Sequence, residues 1–287
     1  MTNFLDPAIL FFIFGVFAGL VKSNLEIPQP IARFLSLYLL MALGLKGGFA
    51  LHKSGFTIEI ALALGLAVFL AVLVPLMGYL ILRSRLNSFD AAAIAATYGS
   101  VSAVTFITAT QVLGQYGIDY GGHMAAAMAL MESPAIILAI LLANKARSES
   151  SQNKHSSSLS NILHESFTDG AQLLLLGSMV VGLVSGDAGQ KLMAPFSIDL
   201  FKGMLAFFLL DMGLMAAKNF EGLKGKPPIT LCYAILAPLL HATIALGLCK
   251  LLGLPLGDTV LLMVLAASAS DRKSTRLNSS HVKRSRM

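Results

Sequence analysis

The stretch DAAAIAATYGSVSAVTFITATQVLGQ, residues 90–115, decides how this chain is read. Its two ends are apolar enough for a membrane helix. Its middle, Thr97-Tyr98-Gly99-Ser100-Val101-Ser102, is small and polar. Gly and Ser lower the cost of unwinding a helix, and hydroxyls can occupy the backbone groups that unwinding frees. The pattern predicts a helix broken halfway. The following half-helix would then offer free N–H groups and a positive dipole end, enough to hold an anion without Arg or Lys. Freed carbonyls and hydroxyls at the same break suit a hard cation such as sodium. The alternative is an unbroken helix whose serines pack against neighbours.

The rest of the chain supplies the membrane setting. Of 287 residues, 56% are hydrophobic and 13% charged, and the mean hydropathy is +0.75. A soluble domain carries about a quarter charged residues. The apolar residues gather into runs of about 17 to 25, the length that crosses a bilayer as a helix. Such runs are too long and continuous for barrel strands. Spans are expected near 7–22, 28–46, 57–82, 90–112, 123–145, 168–186, 195–217, 229–252 and 257–270, eight complete and a ninth cut short. The fold class is therefore all-α and polytopic. The first span lacks a basic leader or a small-residue cleavage site and is expected to be retained. Cys232 and Cys249 lie in apolar stretches without metal-site spacing and read as small core residues.

The Ser-rich segment 146–166 is expected to be an exposed linker. Basic residues cluster on its side of the membrane: Lys22, Arg33, Arg83, Arg85, Lys145, Arg147, Lys154, Lys218, Lys224 and Lys226. By the positive-inside rule that side is cytoplasmic and the N-terminus faces out. The net charge of +6 is misleading. From Asp271 the chain reads DRKSTRLNSSHVKRSRM, which holds six of its 21 basic residues and one of its 15 acids. This tail starts abruptly within a membrane-depth segment, and Asp-Arg-Lys-Ser matches the translation of a common sequencing adapter. Residues 271–287 are expected to replace a native C-terminus, and they support no nucleic-acid partner.

The two halves echo each other. FAGLV (17–21) resembles VVGLV (180–184), and MALGLKGG (41–48) resembles LDMGLMAA (210–217). A shift of 168 residues lays Asp90 on Asp258, Gly99 on Ala267, Ser100 on Ser268 and Ser102 on Ser270. With five spans per half, the second repeat would be inverted, an arrangement typical of transporters, with ligands at mid-membrane where helices break. This divides the chain into a first repeat (1–145), the linker (146–166) and an incomplete second repeat (167–270). The ninth span should offer the equivalent break in Ala267, Ser268, Ala269 and Ser270, and two broken helices crossing at mid-membrane would bring it together with Gly99, Ser100, Val101 and Ser102.

Ionisable residues within spans are functional candidates by default. Glu132 follows the break by one span and could help hold a cation, with Pro134 freeing the Leu130 carbonyl nearby. Asp211 and His241 are expected to make structural hydrogen bonds between helices. Lys46, near the end of the second span, is expected to snorkel. No nucleotide-binding loop, metal cluster or nucleophile elbow appears, so an enzyme is not expected.

With these residues in view, the chain resembles the sodium-dependent bicarbonate transporters, high-affinity permeases first known from cyanobacteria. TYGSVSAVTF (97–106), ALMESPAI (129–136), FFLLDMGLMAA (207–217), APLLHATIA (237–245) and VLAASAS (264–270) carry the resemblance. It implies ten spans in two inverted five-helix repeats, a core domain moving elevator-like against a gate domain, and a homotrimer in the plasma membrane. It implies symport of bicarbonate with sodium as the coupling ion and no other cofactor. Sodium would be held by Ser102, Thr105 and Ser270, with Glu132 as a further candidate. The chain stops matching at Ser270, so Asp271 is not counted as a ligand. The linker is shorter and less charged than in founding members, which bears on any cytoplasmic regulatory protein. Transport of another small anion, or a non-transporting sensor or scaffold, remains open.

Overall fold

Helix boundaries in the computed structural model follow from capping and from where apolar runs give out. The structure describes residues 6–99, 101–149, 170–223 and 227–269, and all regular structure among them is helical. Helix α1 (Pro7–Leu20) starts where the Asp6 carboxylate accepts from the Ala8 amide at 2.8 Å, with Pro7 in the first turn. Helix α2 is Gln29–Ser54, and α3 (Ile58–Arg83) is capped by Thr57. Then come α4 (Ser88–Gly99), α5 (Ala103–Gln115) and α6 (Met124–Glu149). Helix α7 (Gly170–Ala194) is interrupted at Gly186, whose φ of 55° is a conformation glycine tolerates. A π-helical turn, Pro195–Asp199, leads into α8 (Phe201–Asn219). Helices α9 (Pro228–Leu252) and α10 (Leu256–Ala267) follow.

Each expected span falls on a helix, with two differences. The second runs to Ser54 instead of ending near residue 46. The sixth continues past its interruption at Gly186 to Ala194. The fourth is two helices, as its small polar middle predicted. Among the described residues, five helical runs are long and apolar enough to cross a membrane: Gln29–Ser54, Ile58–Arg83, Asp90–Gln115, Gly170–Asn219 and Pro228–Leu252. The 50-residue run Gly170–Asn219 contains two expected spans, while α1 and α10 are apolar but shorter. Large apolar side chains lie bare on several helices, among them Phe17 on α1 and Ile235, Leu236 and Leu239 on α9. A stripe of this kind suits lipid, not water. The linker from residue 150 on and the tail from residue 271 lie outside the described residues.

The chain divides into two units, each assembled from both halves of the sequence. The first holds the residues up to Lys53 together with Leu174–Leu231. Glycine sets its packing. A Cβ on Gly44 would sit 2.4 Å from the Leu175 carbonyl oxygen, and one on Gly48 2.1 Å from that of Met179. A Cβ on Gly15 would meet the Leu210 carbonyl oxygen at 2.4 Å, and one on Gly213 that of Phe12 at 2.2 Å. Helix backbones thus touch through small residues, as is common in membranes. The second unit holds Ser54–Leu173 and the residues from Cys232 on, and it carries both halves of the split fourth span together with α10.

Candidate functional site

The fourth span breaks where glycine and a capping hydroxyl follow each other. Helix α4 stops at Gly99, and Ser102 adopts an extended conformation (φ −98°, ψ 117°) as the N-cap of α5. Its Oγ accepts from the Thr105 amide at 3.4 Å, and Thr105 Oγ1 donates to the Ser102 carbonyl at 2.9 Å. Helix α10 stops at Ala267, and Ser268 is likewise extended (φ −78°, ψ 152°). Its Oγ donates to the Leu265 carbonyl at 3.0 Å.

The two interruptions meet. The Ser102 amide donates to Ser268 Oγ at 3.1 Å, with both residues buried. Position 102 is thereby a crossing point between a half-helix N-terminus and a half-helix C-terminus. The Ala103 and Val104 amides, in the first turn of α5, have no acceptor among the described residues. The Ala267 carbonyl at the end of α10 has no donor among them. One side of the crossing offers N–H groups and the other carbonyl oxygen, which can receive an anion and a cation side by side.

The predicted residues sort as follows. Gly99, Val101, Ser102 and Ser268 are buried at the crossing, and Ala269 beside it is half-buried. Thr105 is exposed, its hydroxyl turned back to the Ser102 carbonyl. Ser100 and Ser270 lie outside the described residues. Glu132 is half-buried on α6 and is not a free carboxylate. The sequence predicted free N–H groups after the break without assigning them to Ala103 and Val104, because a backbone donor leaves no mark in residue type. Their signal was positional: they are the first two residues after a capping serine.

His241 is fully buried on α9, its ring against the Ala266 backbone of α10 and edge-on to Tyr98 and Tyr233, with centroids 5.8 and 6.5 Å away. Two expectations are corrected. The Asp211 side chain is buried and makes no hydrogen bond to another described residue. Lys46 does not lie near the end of its helix. Helix α2 continues for two turns beyond it, and Nζ stands 3.9 Å from the Phe201 ring centroid.

A second group ties the start of α10 to the α5–α6 loop. Asp258 in the first turn of α10 accepts from the Gly121 amide at 2.6 Å, and its other oxygen lies 3.2 Å from His123 Nε2. Both side chains are buried. A Cβ on Gly257 would fall 2.1 Å from the Asp119 carbonyl oxygen, so only glycine lets the α5–α6 loop lie this close to α10. Burial pushes the Tyr120 phenol on that loop above its ordinary pKa, with a hydrogen bond to Thr110 pulling the other way.

A polytopic helical chain with two helix ends meeting inside one unit has the form of a membrane transporter. The chain belongs to the Na+-dependent bicarbonate transporter superfamily, whose family model matches residues 7–272. No curated protein matches it significantly.

Proposed function

We propose that the protein is a sodium-coupled bicarbonate symporter in which an anion and a sodium ion share the crossing of α5 and α10. The observation that carries this reading is the 3.1 Å hydrogen bond from the Ser102 amide to Ser268 Oγ. It holds an N-terminal donor set and a C-terminal acceptor set within reach of one another. Bicarbonate would take the Ala103 and Val104 amides, with Gly99, Ser100 and Val101 forming its wall and Ser268, Ala269 and Ser270 facing it. Sodium would take hydroxyl and carbonyl oxygens of Ser102, Thr105 and Ser270, with Glu132 as a further candidate. Each ion neutralises the other in a low-dielectric site, so they bind as a pair. That pairing is the physical origin of coupling.

Two features support an inverted repeat. Helices α4 and α10 are both twelve residues long, and the shift of 168 that lays Ser88 on Leu256 lays Gly99 on Ala267. In the first unit the repeat equates Gly44 with Gly213, and Ser178 with Gly15. A Cβ on Gly44 would meet Ser178 Cβ at 2.8 Å, and one on Gly213 would meet Gly15 at 3.1 Å. Equivalent residues thus make equivalent contacts. Two units drawn from both halves suit elevator-like motion of the unit carrying the crossing, within a trimer in the plasma membrane whose N-termini face outward.

The test is uptake of labelled bicarbonate into proteoliposomes by the chain continued beyond Ser270 with a superfamily member's sequence. Uptake is expected to follow an inward sodium gradient. Equal uptake with choline in place of sodium removes the coupling, and stronger competition by another small anion reassigns the substrate.

A further inference from the structure

We infer that the first unit carries a second anion site, centred on Lys46, for a phosphate oxyanion at the level of the lipid headgroups. A cavity of about 330 Å³ is lined there by Lys46, Phe49, Ala50, Lys53, Gln190 and Ser197, with Ile198 closing it. Its two ammonium groups are in different states. Lys53 is partnered: Nζ lies 3.6 Å from Asp187 and donates to Gln190 Oε1 at 2.7 Å. Lys46 has no carboxylate within reach among the described residues. Its contact is the face of Phe201, and it feels the like charge of Lys202. A half-buried ammonium beside another cation, with only an aromatic face for company, lacks a counter-ion. The cavity is where one would sit.

Depth and lining set the ligand's class. Lys46 is 17 residues into α2, about 26 Å along the axis at 1.5 Å per residue. With Gln29 set at one edge of a hydrocarbon layer about 30 Å thick, the Lys46 ammonium comes near the other edge and Lys53 lies beyond it. Lysine binds phosphate as a point charge. Phe49, Ala50 and Ile198 give the same cavity an apolar wall, which fits a phosphodiester attached to a glycerol backbone. The shared chemistry is a phosphate oxyanion, supplied by an anionic phospholipid or by free phosphate.

The experiment measures the thermal unfolding midpoint of the purified chain in phosphatidylcholine nanodiscs, in the same discs with a third phosphatidylglycerol, and in phosphatidylcholine discs with inorganic phosphate. Phosphatidylglycerol is expected to raise the midpoint. Lys46→Met is expected to abolish that rise, Lys46→Arg to keep it, and Lys191→Met, which removes an equal charge outside the cavity, to keep it too. A Lys46-dependent rise with inorganic phosphate supports the site with a free-anion source; a rise with phosphatidylglycerol alone supports the lipid source. Equal loss in Lys46→Met and Lys191→Met overturns the site as mere surface charge. A midpoint indifferent to both anions, or an oligomer that Lys46→Met dissociates whatever the lipid, also overturns it. Native mass spectra of the unaltered protein need no variant: preferential retention of one phosphatidylglycerol per chain supports the site, and equal retention of phosphatidylcholine overturns it.

Discussion

Helix α2 and the fourth span are similar in composition and opposite in behaviour. LGLKGGFA, residues 43–50, holds three glycines and stays helical through 26 residues. TYGSVSAV, residues 97–104, holds one glycine and comes apart. What differs is the residue that follows. After Gly48 come Phe49, Ala50 and Leu51, none of which can cap a new helix, and α7 lies against the glycines. Three residues after Gly99 comes Ser102, whose hydroxyl caps α5. Glycine alone does not break a membrane helix. A nearby hydroxyl that can start the next one makes the break affordable, while a neighbouring backbone turns the same glycine into a packing site.

The strongest way to break this contrast is to fill the packing glycine. Gly48→Leu puts a side chain where even a Cβ lies 2.1 Å from a backbone oxygen. The cost expected from overpacking is about 3 kcal/mol, read as lost monodisperse protein and a lower unfolding midpoint. Healing the break is the converse test. Replacing Gly99, Ser100 and Ser102 together by Ala removes the cap and the cheap unwinding, worth about 2 kcal/mol. Folded protein is expected to persist with its substrate binding lost. Retained binding would divorce the site from the break.

Much of this was legible before the fold. The break at 97–102 was readable because it depends on local residue types, glycine and a capping hydroxyl within three positions. The glycine packing was visible only as repeated small residues, because which backbone each one meets is a tertiary fact. Free N–H groups after the break were expected, but not which ones, since every non-proline residue carries the same donor. Lys46 was placed near the end of its span, whereas α2 runs on to Ser54.

Smaller effects sharpen the contrast. Asp258→Asn keeps an acceptor for the Gly121 amide but removes the charge beside His123. Its cost is expected near 1 kcal/mol, read as faster hydrogen exchange at Gly121 without change in the first unit. Asp187→Asn removes the Lys53 ion pair, in which both side chains are more than half exposed. It is expected to change the unfolding midpoint imperceptibly, by less than about 0.5 kcal/mol.

The central claim rests on the bond between Ser102 and Ser268, and equilibrium binding of labelled bicarbonate as sodium is raised tests it most directly. In Ser268→Ala the buried Ser102 amide loses its acceptor, a loss of about 1.4 kcal/mol or more. Sodium-dependent affinity is expected to fall at least about tenfold, and Ser268→Thr, which keeps the hydroxyl, to restore most of it. Binding by Ser268→Ala with unchanged affinity and unchanged sodium dependence would contradict the account.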